Sequence, residues 1–397
     1  MGGRLSTRSN SSSTSSAGAP HLPLDIHLEI LSHLTPDQDQ QTLMSAALCC
    51  TALRNASQQI LFSSMRRRWM YHPDEQSIVI AHINFLQTIV NSPDHLALFV
   101  RSYSQIGLSL EPSYLSSRQT QYLEIKTHRV KLWDLTVQAL PLMINLKTLY
   151  FEPSSSHASA PTLLQNCTFQ LGSFTWIGEG SEEWLFDQFL TSQPSLLHLQ
   201  IKSTNYHDDE KHLPDNVCPA LVSVACTFSG FAKVAKNRPI TAFHMVTSAL
   251  GIEHPVHIEK KSPGERQQYL IALDRLKYLH LSSLFDFQPF ASEISLDNVI
   301  VVELGIWREL VISEETNILA TQFPQLRVLR LWDNYSWSSA PHSLVRDKVA
   351  TEAFAKCREL ETVMFSKRTN NRLTWVIKKQ QGADVEEPMT DVHVLDI

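Results

Sequence analysis

The sequence predicts an α/β protein in two parts: a small three-helix segment near the N-terminus, then a curved solenoid of strand-and-helix units on one parallel sheet. Three observations predict it. Apolar residues recur at helical spacing between His21 and Met65, a short apolar pattern repeats every 25 residues through the middle of the chain, and the composition is that of a globular protein. The 397 residues are 43% hydrophobic and 19% charged, enough to bury a core over most of the length. A formal net charge of -6 lacks the basic footprint that nucleic-acid binding requires. Glycine occurs only 12 times, with no GxGxxG or P-loop pattern to cradle a phosphate. The six cysteines show no CxxC spacing, which excludes a zinc ribbon or disulfide scaffold and points to a reducing compartment, cytoplasmic and/or nuclear. No run of about 18 apolar residues is present to span a bilayer, and the N-terminus is too polar for a secretory signal.

Residues 1–20 read as a disordered leader. Positions 6 to 16 hold nine Ser or Thr among eleven residues, so the segment has no apolar surface to offset its ordering entropy. Composition changes at Pro20, and three short helices are predicted over residues 21–65. Pro23 suits a first helical turn, and Asp25 lies near the positive end of the helix dipole. Thr35, Pro36 and Gln38 form a capping-box signature for a second helix carrying Leu43, Ala46 and Cys50. Leu53, Ala56 and Ile60 mark a third. In the first helix Ile26, Ile30 and Leu34 make one apolar stripe, while Leu24, Leu28 and Leu31 make another nearly opposite. One stripe can close the bundle; the other needs a second surface, either in the chain or on a partner.

The residues carrying this pattern are Leu22-Pro23-Leu24-Asp25-Ile26, Glu29-Ile30-Leu31-Ser32-His33-Leu34 and Ala47-Leu48-Cys49-Cys50-Thr51-Ala52-Leu53-Arg54. They resemble the F-box motif of fungal proteins. The resemblance implies docking to a Skp-family adaptor, and through it to the cullin and RING subunits of an SCF-type ubiquitin ligase. The adaptor contacts it implies are Leu22, Pro23, Ile26, Ile30 and Leu34.

Residues 66–95 are expected to form a helical linker, with Ile78, Ile83, Leu86, Ile89 and Val90 on one buried face. Arg66-Arg67-Arg68 reads as a solvated helix end. From 96 to 380 the unit is L-x-x-L-x-L. It starts at Leu146, Leu171, Leu196 and Leu221, each 25 residues after the last, and continues from Ile240, Leu276, Val299, Leu326 and Leu360. Leucine-rich repeats run about 20 to 29 residues and give one strand plus a helix or turn each. The Asn expected after each strand is missing. Asn205 to Asp215 and His254 to Gly264 are predicted edge loops, and Gln193-Pro194 and Phe323-Pro324 place helix ends just before strands. Residues 381–397 read as a tail.

No catalytic motif of the HExxH or G-x-S-x-G kind occurs, so a non-enzymatic role without cofactor or metal is expected. The charged stretches Tyr206 to His212 and Glu253 to His257 read as solvated loops rather than metal ligands. The residues between the apolar positions should face outward on the sheet: Thr148, Tyr150, His198, Gln200, Lys202, Tyr278, His280, Arg330 and Trp332. Tyr, Trp and Arg dominate interface hot spots. Tyr150, His198, Gln200, Tyr278, His280, Arg330 and Trp332 are therefore the candidate contacts for a protein target. Together the readings describe the substrate-recruiting subunit of the ligase, with a Skp-bound scaffold acting outside ubiquitylation as the alternative.

Overall fold

A computed structural model describes residues 23–36, 38–65, 75–105, 119–152, 160–177, 184–202, 213–246, 263–284, 295–305, 312–332, 342–369, 372–380 and 385–388. The leader, Leu22, Arg66 to Arg68 and the charged stretches at 206–212 and 253–257 lie outside these residues. The chain divides into two compact units, one ending at Phe62 and the other beginning at Ser63.

The first unit contains α1 (Leu24–Ser32), α2 (Gln40–Cys49) and α3 (Thr51–Leu61). Helix α3 packs against both α1 and α2. Pro23 caps α1 without a side-chain bond, and its carbonyl accepts from His27 N. The expected capping box at Thr35 does not form. Helix α2 starts later, with Asp39 at its N-cap. The Asp39 carboxylate reaches back and accepts from Thr35 N at 2.9 Å, while Asp39 N donates to the Thr35 carbonyl. This reciprocal pair ties the turn ahead of the helix, so Pro36 and Gln38 belong to the turn. Leu43 is fully buried, but Cys50 is an extended, exposed junction between α2 and α3.

The second unit is organised by a 13-stranded sheet whose spatial order is its sequence order. The strands are β1 (Ser64–Met65), β2 (Ser102–Gln105), β3 (Thr148–Phe151), β4 (Ser173–Ile177), β5 (His198–Lys202), β6 (Ser223–Cys226), β7 (Ala242–Met245), β8 (Tyr278–Leu281), β9 (Val301–Leu304), β10 (Val328–Leu331), β11 (Thr362–Thr369), β12 (Arg372–Lys379) and β13 (Val385–Pro388). Neighbours from β1 to β11 are parallel, and β11–β12 and β12–β13 are antiparallel. The nine apolar units coincide with β3 to β11, each strand starting two residues after its first apolar residue. Strand β2 escaped the pattern because Gln105 holds the last apolar position of Val100-x-x-Tyr103. Residues 385–388, assigned to the tail from sequence, pair with β12; their Val-Glu-Glu-Pro sequence suits a last strand by discouraging further pairing.

A parallel neighbour needs a crossover connection. Helix α4 (Glu75–Asn91) links β1 to β2, with Ile78, Ile83, Leu86 and Ile89 buried. Further crossovers are α5 (Gln119–Ala139), α6 (Ala160–Leu164), α7 (Phe228–Ala235), α8 (Pro263–Asp274), α9 (Ile312–Gln322) and α10 (His342–Lys356). Local chemistry places them: Thr227 caps α7 by accepting from Gly230 N, and α9 stops one residue short of Phe323-Pro324. The last two residues of the predicted loop, Pro263 and Gly264, are helical, because Pro263 begins α8. Between helices and sheet lies a core of Leu149, Phe151, Phe174, Trp176, Phe243, Leu279, Leu329 and Phe365, all essentially without solvent contact. Phe151 and Trp176 stack across adjacent strands at 5.4 Å.

Amide side chains bind successive units at the turns. Asn145 Nδ2 donates to Leu98 O, and Asn298 Nδ2 donates to Asp274 O. Gln193 accepts from Leu171 N and donates to Phe169 O. These residues precede the strands, which is why a search for Asn after the strand finds none. Arg238 is the most deeply committed of these ties. It is buried and spends its guanidinium on backbone, donating to the carbonyls of Leu213, Pro214, Val217, Val234 and Lys236, with the Asp215 charge as an added attraction. Removing it leaves the buried carbonyls of Leu213, Val217 and Val234 without their donor. Arg238→Leu should lower the unfolding free energy by about 3 kcal/mol, measured by urea denaturation of the whole chain.

Candidate functional site

Two places carry side chains that a partner could use, one in each unit. In the first unit only Leu31 of the two stripes of α1 is buried. Leu24, Ile26, Leu28 and Ile30 are exposed, and on α2 Met44 and Leu48 join them, Leu48 at 81% exposure. Pro23 is exposed and Leu34 half-buried. Met44 and Leu48 are one helical turn apart and share a face, a pairing the sequence analysis passed over because Leu43 and Ala46 fit the internal stripe. Burying a Leu, Ile or Met side chain from water contributes about 1.5–3 kcal/mol, so this set is a strong reason for a partner to bind.

In the second unit, side chains alternate between the core and the other sheet face. Thr148, Tyr150, His198, Gln200, His280, Arg330 and Trp332 all sit half-buried on that other face, opposite Leu149, Leu199, Leu279 and Leu329. Tyr278 shares the face but is 3% exposed, packed with Ala242 and Val301, so it offers almost no surface to a target. The strand register puts His244, His280, Glu303 and Arg330 in one row across β7, β8, β9 and β10.

Glu303 gathers the cluster. Its Oε2 accepts from the Tyr278 hydroxyl at 2.7 Å and lies 3.5 Å from Arg330 Nη1. Its Oε1 accepts from Trp332 Nε1 and lies 3.3 Å from His280 Nδ1. A carboxylate only accepts, so His280 Nδ1 carries the proton. The His244 and His280 rings stack at 3.8 Å, and Trp332 meets Trp375 edge-on at 5.5 Å. Sequence reasoning named four members, Tyr278, His280, Arg330 and Trp332, and missed Glu303, His244 and Trp375. The fifth position of successive L-x-x-L-x-L units reads His244, His280, Glu303, Arg330, and that acid flanked by bases was the available signal.

Burial opposes ionisation of Glu303, but the hydrogen bond and charge of His280, then the bonds from Trp332 and Tyr278, outweigh it and hold the carboxyl at about 2. Burial, then the adjacent His280, pushes His244 down to about 3, against the weaker pull of Glu303. Burial, then Glu303, pushes the Tyr278 hydroxyl up, with Arg330 opposing. Both Glu303 and His244 have folded values below their ordinary ones of 4.5 and 6.5, so the unfolded chain binds more protons in acid. Stability should therefore fall as pH drops, first from about 6.5 toward 3 through His244 and more steeply from about 4.5 toward 2 through Glu303. His244→Phe should flatten the first part alone; unfolding free energy against pH for the two proteins measures it.

A family model of the F-box domain matches residues 20–63. No curated protein matches the chain. An F-box domain thus occupies the region of the three N-terminal helices, and proteins with this domain are generally adaptors rather than enzymes. The domain implies a Skp-family partner and an SCF-type complex.

Proposed function

We propose that the chain is the substrate-recruiting subunit of an SCF-type ubiquitin ligase, working in the cytoplasm and/or nucleus. The observation that carries this reading is the set of exposed apolar side chains on α1 and α2 inside the matched F-box region. Leu22, Pro23, Ile26, Ile30 and Leu34 are its proposed adaptor contacts, joined by Met44 and Leu48. The second unit is proposed to be a leucine-rich-repeat-like solenoid that holds the target on the sheet face opposite the core. One strand per unit, sequential parallel order and the 25-residue spacing support that reading. No residue of the chain then needs to react. A bound target has its lysines held near the activated thioester of a ubiquitin-conjugating enzyme, which raises their effective concentration.

The test uses side chains whose change leaves the fold intact. Ile26 and Ile30 are exposed, so Ile26→Asp with Ile30→Asp should leave the melting temperature within a few degrees of the parent. Binding to a recombinant Skp-family adaptor, read by calorimetry, should weaken by at least about a hundredfold, since two buried apolar anchors become two buried charges. Full-strength adaptor binding by the folded double variant rejects the docking assignment.

A further inference from the structure

The Glu303 cluster points to the class of target, an inference that rests on the reading of the second unit as the target-holding part. An ionised carboxylate offers about four acceptor positions. In Glu303 they face Trp332, His280 and Tyr278 as hydrogen-bond partners and Arg330 as an ion pair at 3.5 Å. It is 6% exposed and ringed by these partners, so it organises the site rather than offering itself to a ligand. Arg330 is in the opposite situation. A guanidinium has five N–H donors. Among the described residues, Arg330 meets Glu303 through Nη1 at 3.5 Å and lies near the Tyr278 hydroxyl, while its Nε is buried without a hydrogen-bond partner. Its side chain is 13% exposed against 8% for Glu303, so the cationic end of the pair is the more open to solvent. Beside it stands the Trp332 ring, held edge-on by Trp375 and by its bond to Glu303.

We propose that Arg330 and Trp332 form the recognition point for an acidic side chain of a protein target, a carboxylate next to an aromatic or aliphatic residue. The buried Glu303 fixes the guanidinium and the indole before the target arrives, so little ordering is left for binding. A basic side chain is rejected, because Glu303 is buried among its own partners and Arg330 repels it. A phosphorylated side chain is the weaker fit. Phosphate carries nearly two charges and is recognised by clusters of Arg, whereas a single Arg here already shares its charge with Glu303.

The probes are four short synthetic peptides, identical except that a central Phe is preceded by Glu, Gln, Lys or phosphoserine. They are titrated against the whole chain, and binding of a recombinant Skp-family adaptor is measured on the same preparations. The Glu peptide should bind about tenfold more tightly than the Gln peptide, with the Lys peptide weakest. Arg330→Gln should erase the Glu-over-Gln preference and leave adaptor binding unchanged. Glu303→Gln should move the preference the other way, increasing it severalfold, because the charge that Arg330 shares is removed. If Arg330→Gln fails to fold, as lost adaptor binding and lost melting transition would show, the direction of the Glu303→Gln effect decides. Equal retention of the Glu and Gln peptides, including retention of neither, overturns the proposal. So does a Lys preference, a preference for phosphoserine over Glu, or a Glu preference unaffected by either substitution. Lost acid selectivity with intact adaptor binding rejects this site alone, whereas intact selectivity without adaptor binding rejects the docking assignment alone.

Discussion

Parallel strands cannot be joined by a hairpin, so every strand from β2 to β11 has to be reached by a crossover that returns the chain to the same end of the sheet. The rest of the second unit depends on that constraint. Each unit must present its apolar residues to the crossover side at the same offsets, or one strand would turn its core residues outward. Leu149, Phe174, Leu199, Val224, Phe243, Leu279, Val302, Leu329 and Val363 occupy one such row, and all are buried. The antiparallel strands β12 and β13 end the array because they no longer require a crossover. Turn amides and the Arg238 brace satisfy backbone groups that the sheet and helices leave over.

The same register explains how a charged cluster arises on the opposite face. Adjacent parallel strands bring equivalent positions side by side, so residues 23 to 27 positions apart become neighbours, as His280, Glu303 and Arg330 do. A buried carboxylate costs several kcal/mol unless its lone pairs are met. Glu303 meets that cost through Tyr278 and His280 on β8, the Arg330 ion pair on β10 and Trp332 just past the end of β10. The cluster therefore locks β8, β9 and β10 together and fixes the orientation of the rings around it. In the first unit nothing comparable compensates the apolar side chains left in water on α1 and α2, and a bound partner is the physical way to cover them.

The sequence alone determined the existence of the three N-terminal helices and the nine units from Leu146 to Leu360, because both rest on apolar periodicity that burial enforces residue by residue. It also placed His280, Arg330 and Trp332 on the sheet face opposite the core. Only the tertiary structure decided which candidates touch one another. Tyr278 read as a surface residue because alternation gives the face but not the depth; Val301 and Ala242 on the neighbouring strands cover it. Glu303 stood in a weak repeat and drew no attention, because a lone Glu in an apolar run gains meaning only from neighbours about 25 positions away in sequence. The Thr35 capping box failed for a related reason. Its spacing was right, but Asp39 made the competing bond to Thr35 N, and a choice between two local hydrogen bonds is settled by geometry rather than by pattern.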